Sequence, residues 1–221
     1  VSGVGAHASG AWNWSNTGAA VRKVAIAYMH GTADPVVPYG QSVGSRDFYD
    51  KEGFELLHLR RLEGYNHWPN AVRATECLDW CEGMTTDDPA RALECARRLL
   101  EPKPADEYSW TTVVDFAGAL DVLARFQPKS KRGFAQLPSS LALKAKALAD
   151  DVDEHARKHV AALRKLLPKK GALTLGAEAP WLGHLIPLRE DFRGAPSVEI
   201  GGIYDRLWLS VLEEMSLKVS V

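Results

Sequence analysis

VRKVAIAYMHGTADPVVPYG, Val21–Gly40, carries a short apolar run rich in Val, Ala and Ile that ends abruptly in Gly31-Thr32-Ala33-Asp34-Pro35. Such a run, bounded by turn residues, reads as a buried strand over Val21–His30 with a loop at its C-terminal end. Working outward, Tyr39–Glu52 has a helical pattern that Gly53 stops, and FELLHLRRL, Phe54–Leu62, begins a second strand followed by the loop Glu63–Pro69. A strand, helix, strand unit with short loops implies parallel strands joined by a right-handed crossover. In such α/β sheets ligand chemistry gathers at the C-terminal ends of the strands. The informative residues are therefore those of the two loops.

The first loop reads His30-Gly31-Thr32-Ala33-Asp34-Pro35 and the second Gly64-Tyr65-Asn66-His67-Trp68-Pro69. Alone, an Asp before Pro is a turn former and a loop His is commonplace. Together, at the ends of neighbouring parallel strands, they bring a carboxylate and an imidazole to one edge of the sheet. A carboxylate bonded to one ring nitrogen fixes the tautomer and stabilises the imidazolium that forms during catalysis, while the other nitrogen takes a proton from a hydroxyl. Asp34 and His67 thus have the chemistry and the chain order of the acid and base of a serine-hydrolase triad. Trp68, beside His67, is the candidate substrate contact.

HGTADPVVPYGQS followed by GYNHWPN resembles the C-terminal part of an α/β-hydrolase, similar to the esterases that include polyhydroxybutyrate depolymerase-like and feruloyl or acetylxylan esterase-like enzymes. The resemblance implies that Asp34 and His67 complete a triad, and that Val1-Ser2-Gly3 is the end of the strand that follows the nucleophile helix. It covers roughly 1–100. It further implies a small-molecule or polymeric ester as substrate, with no metal and no organic cofactor. A peptidase of the same fold would share this acid and base.

The nucleophile of that family stands on a G-x-S-x-G elbow that precedes the Asp. Gly40-Gln41-Ser42-Val43-Gly44 matches the letters but follows Asp34, and Pro35 and Pro38 spoil a strand in front of it. Ser42 is therefore expected within the helix after Asp34. Ser2 and Ser9 leave little chain for an elbow helix, a strand and a crossover. The expectation is a hydrolase portion whose nucleophile and oxyanion hole lie upstream of Val1, with little activity by itself. The opening VSGVGAHASG, which has neither a basic head nor an apolar run, reads as the start of a mature product or a fragment.

Other constellations carry less. Cys77, Cys81 and Cys95 are an odd, closely spaced set without a CxxC or Cys/His partner group, so neither a disulfide framework nor a metal site is expected. His155 and His159 have the i, i+4 spacing of zinc ligands, but Ala156 stands where the general-base Glu should follow the first His. Arg164-Lys165 and Lys169-Lys170 sit near a helix C-terminus, where cations complement the helix dipole.

The whole composition is that of an ordinary folded protein: 221 residues, 46% hydrophobic, 25% charged and a net charge of -1. That charge balance argues against a nucleic-acid-coating role, and no run approaches the roughly 18 apolar residues of a membrane span. Two textures divide the chain, with the α/β pattern over 1–100 and a mainly helical extension over 101–221. In the extension Tyr108–Phe126 and a helix from Ser139 or Ser140 to Leu167 are expected, then a strand in SVEIGGIY and a last helix in DRLWLSVLEEMSLK. A rival expectation makes the hydrolase-like half a scaffold and the helices of 108–167 a surface for a protein partner.

Overall fold

The apolar run is the middle strand of a parallel sheet. The computed structural model describes residues 3–7, 23–62, 65–67, 71–103 and 114–166. Strands β1 (Gly3–His7), β2 (Ala25–Gly31) and β3 (Leu57–Leu62) lie in the order β1-β2-β3, with Val4 opposite Ile26 and Ile26 opposite Leu57. The β2–α1–β3 unit, with α1 at Tyr39–Lys51, is the expected parallel crossover. The chain belongs to the α/β class.

Alternate residues of β2 feed two hydrophobic clusters, as the period of two in a strand requires. Ile26 and Tyr28 pack with Phe54, Leu57, Leu59 and Tyr49 of α1. Ala25, Ala27 and Met29 face the other way, into a larger core with Cys77, Trp80 and Met84 of α2 (Ala71–Thr85). Both strands start later than their sequences suggest. β2 begins at Ala25 rather than Val21, and β3 at Leu57 rather than Phe54.

The reason at β3 is that Phe54 is used to finish α1. Gly53 adopts φ +86°, Phe54 N–H donates to Tyr49 O at 3.0 Å and Gly53 N–H to Asp50 O at 2.9 Å, a Schellman closure that only glycine enters without strain. The accompanying apolar contact is the Tyr49–Phe54 edge-to-face pair at 5.1 Å.

Beyond α2 come α3 (Pro89–Leu100), α4 (Phe116–Ala124) and α5 (Ser139–Leu166). Asp88 caps α3 through Ala90 N–H, with Pro89 at the first helical position, and Asp115 caps α4 through Gly118 N–H. Ser139 is the first residue of α5, and the carbonyl of Pro138 before it accepts from Leu141 and Ala142. Phe116, Ala119, Val122 and Leu123 of α4, and Ala145 and Val152 of α5, enter the same core as α2 and α3. The described helices of 101–221 and the sheet of 1–100 thus share one apolar interior.

The expected elements in SVEIGGIY and DRLWLSVLEEMSLK lie outside the described residues, as do Tyr108 and Val113 and the side chains of His155 and His159. No helix among the described residues is long and apolar enough to cross a membrane.

Candidate active site

The β2–β3 ladder does not stop at the strand ends. Thr32 N–H donates to Leu62 O at 2.9 Å and Ala33 N–H to Tyr65 O at 3.1 Å, so the loops that follow the two strands are joined backbone to backbone. Gly31 makes this approach possible. A Cβ there would lie 2.1 Å from Tyr65 O and 2.6 Å from Asn66 O, far inside contact distance.

This junction brings Asp34 and His67 together. His67 Nδ1 is 2.9 Å from Asp34 Oδ2, and the other carboxylate oxygen, Oδ1, accepts from Val36 N–H at 2.8 Å and Val37 N–H at 2.9 Å. The Asp34 side chain is fully buried, whereas that of His67 remains 30% exposed. Burial by itself would raise the Asp34 pKa, but the Val37 amide, His67 and the Val36 amide outweigh it and bring the carboxyl down to about 2. An ionised carboxylate against Nδ1 requires the hydrogen on that nitrogen. Nε2 is then the ring atom through which a proton would be exchanged.

A second imidazole lies under the same carboxylate. His30, fully buried at the end of β2, has Nε2 2.8 Å from Val37 O and 3.2 Å from Asp34 Oδ2, and Nδ1 2.6 Å from Ser42 Oγ. Ser42 is thus a fully buried residue inside α1, as its place in the sequence suggests, and its hydroxyl is engaged with His30. Trp68, the expected substrate contact, lies outside the described residues.

Sequence reading missed a buried polar layer behind the site. On β3, His58 and Arg60 share the inward face with Leu62. His58 Nε2 lies 3.0 Å from Asp115 Oδ2 and its ring stacks on Trp80 at 5.1 Å; the Trp80 indole N–H donates to Asp121 at 3.2 Å. Arg60 donates to Val114 O, and Arg73 Nη1 to Glu76 Oε1 at 2.7 Å.

Arg73 Nε–H also reaches the Tyr65 hydroxyl at 3.4 Å, which ties the His67 loop to this layer. Burial alone would lower the His58 pKa, but the Asp115 carboxylate opposite it wins and raises it. Burial works to raise the Asp115 pKa, and the charges of His58 and Arg60 outweigh it and hold the carboxyl low. Glu76 is shifted upward, chiefly by burial. The signal in the sequence was the period of two in LHLRRL, which puts positions 58, 60 and 62 on one face.

Cys77, Cys81 and Cys95 are buried thiols without disulfides, and burial pushes Cys95 up to about 11. Asp79, Glu82 and Cys95 converge on one point, but arginines already occupy the carboxylates. Arg98 donates to Asp79 at 2.9 Å and Arg91 to Glu82 at 2.7 Å. The cluster is an ion-pair network on the α2–α3 surface.

The fold and site together define an α/β protein with a carboxylate–imidazole pair at the C-terminal ends of adjacent parallel strands. No protein-family model matches the chain, and neither the curated proteins nor the solved structures yielded a match.

Proposed function

We propose that Asp34 and His67 are the orienting acid and the general base of a serine-type carboxylic ester hydrolase, in an α/β-hydrolase-like arrangement whose nucleophile lies outside the described residues. The observation that supports this reading most is the 2.9 Å contact between His67 Nδ1 and a buried Asp34 carboxylate whose other oxygen is held by two backbone amides. In the reaction a serine hydroxyl attacks the ester carbonyl as His67 Nε2 takes its proton. His67 then returns that proton to the leaving alkoxide, and the cycle repeats with water on the acyl-enzyme. Asp34 stays ionised throughout and stabilises the transient imidazolium. An interaction module built on a hydrolase-like sheet is the rival, and the two differ in what His67 does.

Hydrolysis of p-nitrophenyl acyl esters by the full chain tests this. The expected result is little turnover by the chain alone, which His67→Ala and Asp34→Asn should lower little further, since the members of a triad act as a unit. Robust turnover lost in His67→Ala would keep the pair and place the nucleophile within this chain. Robust hydrolysis indifferent to both substitutions would overturn the reading and favour the interaction module.

A further inference from the structure

The G-x-S-x-G stretch and the strand-end histidine have no part in the proposed chemistry, yet Ser42 and His30 are both fully buried and lie 2.6 Å apart. We infer that Ser42 and His30 are positioning residues that hold Asp34, and through it His67, in register from the sheet side of the loop. This rests on reading Asp34 and His67 as a working acid–base pair.

A series of short contacts connects them. Val37 O can only accept, so the His30 hydrogen facing it at 2.8 Å sits on Nε2. In the neutral ring Nδ1 is then an acceptor, and the Ser42 hydroxyl at 2.6 Å is the donor that matches it. Val37 in turn donates its N–H to Asp34 Oδ1 at 2.9 Å, while Asp34 Oδ2 takes the His67 Nδ1–H at 2.9 Å.

Helix α1 therefore reaches the functional loop through Ser42, the end of β2 through His30, and the turn 34–37 through the backbone carbonyl and N–H of Val37. The His30 Nε2–H edge also lies 3.2 Å from Asp34 Oδ2, which adds a positive dipole beside the carboxylate oxygen that meets His67. Burial of Ser42, His30 and the Asp34 carboxylate makes their links consequential, because a polar group deprived of its partner away from water has no substitute.

The test is two-bond ¹H–¹⁵N correlation of the histidine rings in the full chain, with resonances assigned by single His substitutions. Ser42→Ala is compared with Ser45→Ala. Ser45 is a buried serine one turn along α1 whose hydroxyl donates to Gln41 O. In the unsubstituted chain neutral His30 is expected as the Nε2–H form and His67 as the Nδ1–H form.

Ser42→Ala should shift the His30 Nδ1 resonance away from its hydrogen-bonded position, while the Nε2–H form stays the one Val37 O selects. It should speed exchange of the His67 Nδ1–H with water about fivefold, the equivalent of one hydrogen bond of about 1 kcal/mol, and Ser45→Ala should do neither. Should Ser42→Ala fail to fold, Ser42→Cys, a near-isosteric weak donor, must shift both signals in the same direction. If the Ser42 variants match Ser45→Ala, the inference fails while the acid–base pair stands. If His67 lacks the Nδ1–H form in the unsubstituted chain, the functional reading itself fails.

Discussion

The two carboxylate oxygens of Asp34 serve separate partners, Oδ1 the Val36 and Val37 amides and Oδ2 the imidazole. Its pKa of about 2 lies below the roughly 3.9 of an unfolded aspartate, so the carboxylate stabilises the fold above about pH 4. That contribution is lost as pH falls through the folded value, and acid denaturation followed by far-UV circular dichroism should show it. Asp34→Asn should flatten the part of the stability curve between about pH 4 and pH 2.

His58 has the opposite sign, since its folded pKa is raised by Asp115. Its pairing therefore stabilises fully below about pH 6.5 and is lost as pH rises through the raised value. Urea unfolding at about pH 6 and about pH 9 should differ more in the unsubstituted chain than in His58→Gln. Removing Asp115 strips the α4 cap and takes the buried counter-charge from His58 and Arg60, and Asp115→Ala should destabilise by about 3–5 kcal/mol in the same assay. None of this electrostatic behaviour follows from the residue types alone. Asp34 could be recognised because the turn Asp-Pro and the loop His are local, whereas His58 and Asp115 are 57 residues apart and meet only through packing.

At the level of elements, the site depends on how closely two loops run after their strands part. Gly31→Ala places a methyl group within bonding distance of Tyr65 O, so the Ala33–Tyr65 hydrogen bond must break and the His67 loop must shift. The expected outcome is a folded chain with nearly unchanged circular dichroism in which the His67 Nδ1–H resonance is lost. A retained resonance would show that the loops reach their geometry without this approach.

The strand and helix types were legible in the sequence because apolar runs and glycine stops act over a few residues. Their starts were less legible. Phe54 has the composition of a strand residue, but it closes the α1 terminus against Tyr49, a competition settled by helix capping rather than by β propensity.

Across the whole molecule, β2, α2, α3, α4 and α5 contribute to one apolar core around Trp80, which is 1% exposed, stacks on His58 and bonds Asp121. Trp80→Ala should cost about 3–5 kcal/mol in urea unfolding and should lower the stability of α4 and α5 together with the sheet in a single transition. Two separated transitions would show that the helices of the second half fold apart from the first.

The sequence by itself determined the parallel strand–helix–strand order, the placing of Asp34 and His67 at the two strand ends, and the helical place of Ser42. Each is set by short-range periodicity, turn chemistry or chain order. Tertiary structure alone decided that a carboxylate sits between two imidazoles and that Ser42 anchors one of them. It also decided that a layer of charged side chains lies buried behind the site. Those outcomes depend on which faces of distant elements meet, and on desolvation and hydrogen-bond geometry that exist only once the chain is packed.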